Sequence, residues 1–195
     1  MYQHFFKRII GFLLALIAFP FVLIITIPVA FFIVIEDGGP IFYKGKRIGK
    51  DLKEFKMYKF RSMKVNAPDI RNEDGSTFNS GDDPRLTKVG KFIRKTIIDE
   101  LPQIINVLFG QMAWIGPRPS PLGNIEKYPN YYKEKCKVLP GITGYTQAKL
   151  RNAASMEERM ENDIYYANNI SFTLDVKIVF LTIETVLFRK GIYRN

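Results

Sequence analysis

The sequence predicts a mostly helical α/β domain anchored to a membrane by its N-terminal segment. Three observations carry that expectation. From Ile9 to Ile35 there are 27 residues without a charge, in a chain whose mean hydropathy is only −0.06. After Gly38-Gly39-Pro40 come two short strand-like stretches, Ile41 to Lys44 and Phe55 to Met63, with Gly45 and Gly49 between them. The rest of the chain reads as short helices opened by prolines and closed by glycines, then a longer apolar stretch from Phe172 to Phe188.

The apolar run, as a straight helix, measures roughly 40 Å, more than a hydrocarbon core of roughly 30 Å. It is too long for a signal-peptide core and has no small-residue cleavage pattern. The chain therefore divides into a membrane segment over 1–36 and a domain outside the hydrocarbon over 37–195. Pro20 and Pro28 interrupt the run, and each removes an amide donor from a helix. Both flanks are basic: Lys7 and Arg8 before it, Lys44, Lys46, Arg47 and Lys50 after it. A single crossing cannot put both flanks on the cytoplasmic side, whereas a helix that bends and returns can. Kinked spans are commoner than re-entrant helices, so at this level both arrangements stay open.

The stretch from Val65 to Asp83 is rich in Asn, Asp, Ser and Gly and reads as a surface loop. Pro84 suits the first turn of a helix to about Lys95, which sets Arg85, Lys88, Lys91 and Arg94 at three-residue intervals as a cationic stripe. Tyr128, Tyr131 and Tyr132 alternate with Lys127, Lys133 and Lys135, a composition of surfaces or membrane interfaces. Gly141-Ile142-Thr143-Gly144 reads as a turn. The Phe172–Phe188 stretch, interrupted by Asp175, Lys177 and Glu184, packs on the core or lies along a bilayer surface as an amphipathic helix.

Composition narrows the chemistry. A net charge of +10 calls for an anionic partner: nucleic acid, a phosphorylated metabolite or an acidic membrane surface. The composition, 47% hydrophobic, excludes wholesale disorder. One cysteine, Cys136, excludes an internal disulfide and a multi-cysteine zinc site, and reads as an inert structural thiol. One histidine, His4, near the terminus argues against histidine-based catalysis, which leaves carboxylates and cations.

The segment Asp99-Glu100-Leu101-Pro102-Gln103-Ile104-Ile105-Asn106-Val107-Leu108-Phe109-Gly110 is the most informative. Pro102 and Gly110 bracket a short helix, and an acidic residue before it is an ordinary cap. Arg94 upstream and Gly116-Pro117-Arg118-Pro119 downstream change the reading: an arginine between prolines sits on a stiff loop, where its fork grips phosphate at low entropic cost. A carboxylate pair framed by arginines suggests phosphoryl chemistry, with a carboxylate attacking phosphorus or holding Mg2+.

These strings resemble the monotopic phosphoglycosyl transferases, or bacterial sugar transferases. The match runs through Lys7-Arg8, GPIFYKGKRIG (39–49), KFRSM (59–63), DELPQIINVLFGQMAWIGPRP (99–119), PGITGYTQ (140–147) and ENDIYYANNISFTLDVKI (161–178). It is similar to the small members that comprise the catalytic unit alone. The resemblance implies transfer of a sugar 1-phosphate from a UDP-sugar to polyprenyl (undecaprenyl) phosphate, with release of UMP, through a covalent aspartyl intermediate and with Mg2+. It makes Asp99 the nucleophile and a metal ligand, and Glu100 the second member of the dyad. Arg94 and Arg118 match phosphate-binding positions, and Arg47, Lys59, Arg151 and Asp163 match further substrate-binding positions. The family's re-entrant membrane helix favours the same arrangement here, with the domain on the cytoplasmic face of the bacterial inner membrane. Anionic lipids and downstream glycosyltransferases are the expected partners, and nucleic acid is not one.

Three positions depart from the pattern. Gly11 stands where members usually carry an aspartate, Gln111 where an acidic residue is expected, and Ile24 near the usual Ser-Pro break. Two rivals remain: a membrane-bound phosphatase or kinase acting on a phosphorylated lipid, and a non-enzymatic basic membrane-anchored binding protein.

Overall fold

The computed structural model describes residues 1–70, 78, 80, 82–124, 126–150 and 153–188. After a π-helical first turn, Tyr2–Phe6, helix α1 runs over Lys7–Asp37. It passes through Pro20 and Pro28 without interruption, so the expected proline break is absent from the hydrogen-bonded helix. Each proline withdraws one amide but leaves the rest of the ladder, and the helix is supported by packing on both sides of both prolines. Ala15, Val22 and Ile33 are buried, seven and eleven residues apart, near two and three helical turns, so they share one stripe. Ala15 and Val22 pack with Phe55, Met57, Ile104, Val107 and Met112, and Ile33 packs with Phe60 and Ile93. The remaining surface, with Ile17, Phe21, Ile24, Ile27, Phe31 and Ile35, is exposed. By length and composition α1 suffices to cross a membrane.

Strand β1 (Phe42–Ile48) pairs antiparallel with β2 (Glu54–Phe60), from Phe42 opposite Phe60 to Ile48 opposite Glu54. The expected first strand stops at Lys44; the observed one continues through Gly45 because β1 is central, flanked on its other side by β4 (Ser120–Pro121). Between β1 and β2, a 3-10 turn at Lys50–Leu52 puts Asp51 and Leu52 at φ 54° and 59°.

Helix α2 covers Lys88–Lys95, starting later than Pro84 suggested. Leu86 is held in a bridge to Met63, Thr87 N donates to Ser62 O, and the Thr87 side chain then caps the helix at Gly90 N. Arg85 does not join the cationic stripe: it is buried against Asp83, 2.7 Å away. Of the expected loop over 65–83, residues 71–77, 79 and 81 lie outside the described residues.

A 3-10 turn (Ile98–Gln103) leads into α3 (Ile104–Leu108), which ends at Gly110 with φ 68°. Then β3 (Ala113–Ile115) pairs in parallel with β5 (Gly141–Thr143), so the glycine motif expected to be a turn is a strand. A 3-10 helix at Asn130–Lys137 precedes β5. Helices α4 (Tyr145–Lys149), α5 (Met156–Asn168) and α6 (Phe172–Leu187) complete the domain. A capping box, Ser155 with Glu158, starts α5, and the Ser171 hydroxyl caps α6. One side of α6, with Asp175, Ile178 and Thr185, packs inward, while Phe172, Val179, Phe180, Ile183 and Leu187 are exposed.

Both ends of α1 are tied to this domain. At its start, Lys7 Nζ lies 2.7 Å from Asp175 of α6 and bonds the Tyr166 hydroxyl, which also donates to Asp175 at 2.7 Å. Trp114 Nε1 donates to Gly11 O at 2.8 Å, which gives the departure at residue 11 a backbone role. At the far end, Glu36 accepts from Lys88 N (2.5 Å) and Val89 N (2.8 Å), and buried Arg61 clasps Asp37 and Gly38 O.

Candidate active site

Asp99 and Glu100 sit on the 3-10 turn before α3. Two features fix it. Ile97 immediately before it is left-handed, φ 63°, a conformation a β-branched residue adopts only when its surroundings impose it. Asn106 of α3, fully buried, accepts from Tyr58 N at 3.0 Å and donates to Lys56 O at 2.8 Å, riveting the helix to β2. Gln111 accepts from the same amide at 2.7 Å, a contact that a carboxylate there would also satisfy.

That seating brings Lys59 of β2 to the dyad. Its Nζ is 2.5 Å from Glu100 Oε1 and 4.0 Å from Asp99 Oδ2. Arg118 Nη2 lies 3.2 Å from the same Glu100 oxygen, while its side chain remains 42% exposed and open to a ligand. Arg94 of α2 is held by its Nε donating to Ser62 Oγ at 2.9 Å, close enough for its charge to act on Asp99.

The two carboxyls differ. Burial raises Asp99, to about 6; Lys59, Arg94 and Arg118 pull it down, and the Glu100 charge pushes it up. Burial also opposes ionisation of Glu100, but the charges and hydrogen bonds of Lys59 and Arg118 outweigh it and hold that carboxyl far below the usual range. Glu100 is thus a fixed counter-ion, its Oε1 shared by two cations. Asp99 is 8% exposed and accepts no hydrogen bond among those described, so its oxygens keep lone pairs for an electrophile or a cation. Among the described residues no group of three His, Cys, Asp or Glu could form a metal cage. A pair of hard carboxylates fits Mg2+, which takes one or two of them and completes its shell with phosphates and water.

The loop carrying Arg118 is stiffened from behind. A Cβ on Gly116 would lie 2.4 Å from Leu139 O, and one on Gly141 2.0 Å from Gly116 N, so the two segments meet backbone to backbone. Lys135 Nζ donates to Arg118 O at 3.1 Å and lies 3.2 Å from Asp163 Oδ2. Asp163 also accepts from Tyr132 (2.8 Å) and Thr146 (2.9 Å), and is 1% exposed.

Of the expected site residues, the structure gathers Asp99, Glu100, Lys59, Arg94 and Arg118. Asp163, expected to bind substrate, is enclosed by Lys135, Tyr132 and Thr146 and props the Arg118 loop through Lys135. Arg47 lies on β1, opposite Phe55 and Pro121, beside the strand that leaves the Arg118 loop; its Nη1 donates to Lys46 O at 3.1 Å. Arg151 is outside the described residues. Lys135 and Tyr132, expected on a surface, are buried. Sequence reasoning missed their role, as it missed Ser62, Asn106 and Arg61; the one available signal was the three-residue spacing that puts Tyr132 and Lys135 on one side of a 3-10 helix. Cys136 is buried, which pushes its thiol up and fits an inert role.

Comparison with known proteins adds an independent line. The profile of the family described as "Bacterial sugar transferase" matches residues 2–189. The chain is 43% identical over 164 residues to a galactosyl transferase, CpsE, of Streptococcus agalactiae, covering 80% of this chain and 36% of that protein. It is 42% identical over 161 residues to an uncharacterized sugar transferase, EpsL, of Bacillus subtilis, covering 83% and 77%. A UDP-N-acetylgalactosamine-undecaprenyl-phosphate N-acetylgalactosaminephosphotransferase of Aeromonas hydrophila is 40% identical over 189 residues, covering 94% and 44%. The chain thus spans less than half the length of two of these three relatives.

Proposed function

Because the chain belongs to the bacterial sugar transferase family, we propose that it moves a sugar 1-phosphate from a UDP-sugar to polyprenyl phosphate with release of UMP. The observation that carries this reading is Asp99, a buried carboxylate with free lone pairs, set among Lys59, Arg94 and Arg118. The relatives' names supply the substrate class, including a UDP-sugar and undecaprenyl phosphate in the Aeromonas protein.

The reaction has two displacements at one phosphorus. An Asp99 oxygen attacks the β-phosphorus of the UDP-sugar; the bond from that phosphorus to the bridging oxygen breaks, and UMP leaves with the electron pair. A phosphate oxygen of the lipid then attacks the same phosphorus, the acyl-phosphate bond breaks, and the Asp99 carboxylate is regenerated. No proton is consumed. Arg118 presents its half-exposed guanidinium to phosphate oxygens, and Arg94 adds its charge to the same site. Lys59 and Glu100 hold each other in place, so the Lys59 side chain stays beside Asp99 without drifting onto it. Mg2+, held by Asp99 together with substrate phosphates, would supply neutralisation of charge on the phosphates.

The same reading places the protein at the inner face of the bacterial cytoplasmic membrane, with α1 re-entrant. Lys7 and Gly11 near one end of α1, and Glu36 and Asp37 at the other, are bound to the same domain, which favours a helix that lays its apolar face in the bilayer with both ends on one side. The rivals differ in what they turn over, and a non-enzymatic binding protein releases no UMP at all. A phosphatase releases phosphate without needing an acceptor lipid, and a kinase needs a nucleoside triphosphate.

UMP release across a panel of UDP-sugars, with and without undecaprenyl phosphate, tests the function. Turnover that requires the lipid, and a sugar-phosphate mass on the Asp99 peptide when the lipid is omitted, are the expected results. Undiminished turnover in Asp99→Asn would overturn the assignment of the nucleophile.

A further inference from the structure

Beside the first turns of α1 lies a cavity of about 230 Å³ that none of Asp99, Glu100 or Arg118 lines. Its walls are apolar, chiefly Val107, Met112, Ile115 and Val138. Its rim is cationic: Lys7, Arg8, Lys50 and Lys137 line it, and no Asp or Glu does. Lys7 is already engaged by Asp175 at 2.7 Å. The other acids behind the rim hold their cations weakly: Lys50 is 4.0 Å from Asp51, and Lys137 pairs with Glu134 at 3.0 Å on exposed side chains. Arg8 is exposed. Phe12 also lines the cavity, on the stretch of α1 whose Ile9, Leu13 and Leu16 are exposed.

We propose that this cavity binds an anionic phospholipid of the bilayer, with part of an acyl chain inside and the phosphodiester on Arg8, Lys50 and Lys137. The proposal rests on the membrane placement of α1 given above. An apolar wall repels an ion, and cationic side chains gain nothing from a neutral hydrocarbon, so the chemistry selects an amphiphile with an anionic head. The volume is below the roughly 300 Å³ at which clefts begin to enclose whole small molecules, which suits one stretch of chain. Such a molecule already in the bilayer reaches the opening along the exposed face of α1 without crossing water. The acceptor lipid is the wrong occupant, because its phosphate has to meet Asp99, and none of Asp99, Glu100 and Arg118 lines this cavity. A lipid in place would touch α1, α3, β3 and the segment after Lys137 together, bracing the helix that carries the dyad turn.

The chain holds its own reporter. Trp114 is the single tryptophan; it donates to Gly11 O at 2.8 Å, and Gly11 with Ala113 and Ile115, its chain neighbours, lines the cavity. The full chain in phosphatidylcholine vesicles is titrated with a small mole fraction of brominated phosphatidylglycerol, or of brominated phosphatidylcholine. Several-fold stronger quenching of Trp114 by the phosphatidylglycerol is expected. Arg8→Gln with Lys50→Gln should raise the half-quenching mole fraction on the order of tenfold, since two cations leave the headgroup. Lys137→Gln, on a side chain that is 70% exposed, is the second variant and should move it in the same direction. Equal quenching by the two lipids, or an unchanged preference in both variants, overturns the proposal. So does displacement of the brominated phosphatidylglycerol by an equal amount of undecaprenyl phosphate, which would give the cavity to the acceptor. Flotation separates the two levels of failure. Protein that floats with vesicles but shows no headgroup preference refutes this site alone, and protein that stays at the bottom refutes the membrane placement as well.

Discussion

Lys135→Met tests whether the Arg118 loop depends on a buried ion pair. The Lys135 ammonium makes three contacts: Asp163 Oδ2 at 3.2 Å, the Tyr132 hydroxyl at 2.8 Å and Arg118 O at 3.1 Å. Both side chains are closed to water, 5% and 1% exposed. Methionine keeps most of the volume but strands the Asp163 charge with only the Tyr132 and Thr146 hydroxyls. Removing one partner of a buried pair costs about 3–5 kcal/mol, a large part of a stability of about 5–15 kcal/mol. For a chain of this size that lowers Tm by roughly 6–20 °C. Asp163→Asn keeps an oxygen for those hydroxyls and removes the stranded charge. The double variant should therefore melt above Lys135→Met alone, with a coupling energy of about 1–3 kcal/mol. Thermal melts followed by circular dichroism read the stability, and UMP release reads the loop. A Lys135→Met protein within about 2 °C of the parent Tm would show that the pair holds nothing in place.

Three further outcomes follow from the same geometry. Burial raises Asp99 to about 6, so its reactive anion is lost as pH falls through that value; kcat/KM should drop about tenfold per unit below pH 6, measured by UMP release in the free enzyme's regime. Arg118→Lys keeps the charge but loses the planar fork, and should cost roughly ten- to a hundredfold in kcat/KM; near-normal kinetics would reduce the loop to a structural part. A cysteine at residue 3, as Gln3→Cys with Cys136→Ser, should be protected from a membrane-impermeant thiol reagent in intact cells, because a re-entrant α1 leaves residue 3 on the cytoplasmic side. Labelling there would mean that α1 crosses.

What was legible in the sequence was local. Asp99-Glu100 and the proline-flanked Arg118 announce themselves because turn chemistry, charge and spacing coincide within some twenty residues. The first two strands and several helix ends follow from glycines, prolines and caps. Gly141-Ile142-Thr143-Gly144 was misread for a physical reason: its glycines serve close contact with the Gly116 backbone rather than a turn, and a propensity cannot distinguish these uses. Lys135 was misread because a buried ion has the composition of a surface until its partner is known, and that partner, Asp163, is 28 residues away. Lys7 and Asp175, 168 residues apart, are the extreme case.

Those long-range ties change what the prolines of α1 have to do. On sequence, Pro20 and Pro28 looked like the device that turns a membrane helix back on itself. In the structure the helix is continuous through both, and the constraint lies at its ends: Lys7 on Asp175 and Tyr166, Glu36 on the first amides of α2, Asp37 on Arg61. Each tie is made by a charged side chain, and together with the stripe Ala15, Val22 and Ile33 they lay the whole length of the helix on the domain. Carrying the N-terminus across a bilayer would break the Lys7–Asp175 pair and strip that stripe from its core, leaving Asp175, 6% exposed, without its cation. The cost of such a rupture, about 3–5 kcal/mol for the ion pair alone, comes before any loss of buried apolar surface. If α1 lies in a membrane, it is these ties at its ends, rather than its prolines, that would hold both basic flanks on one side.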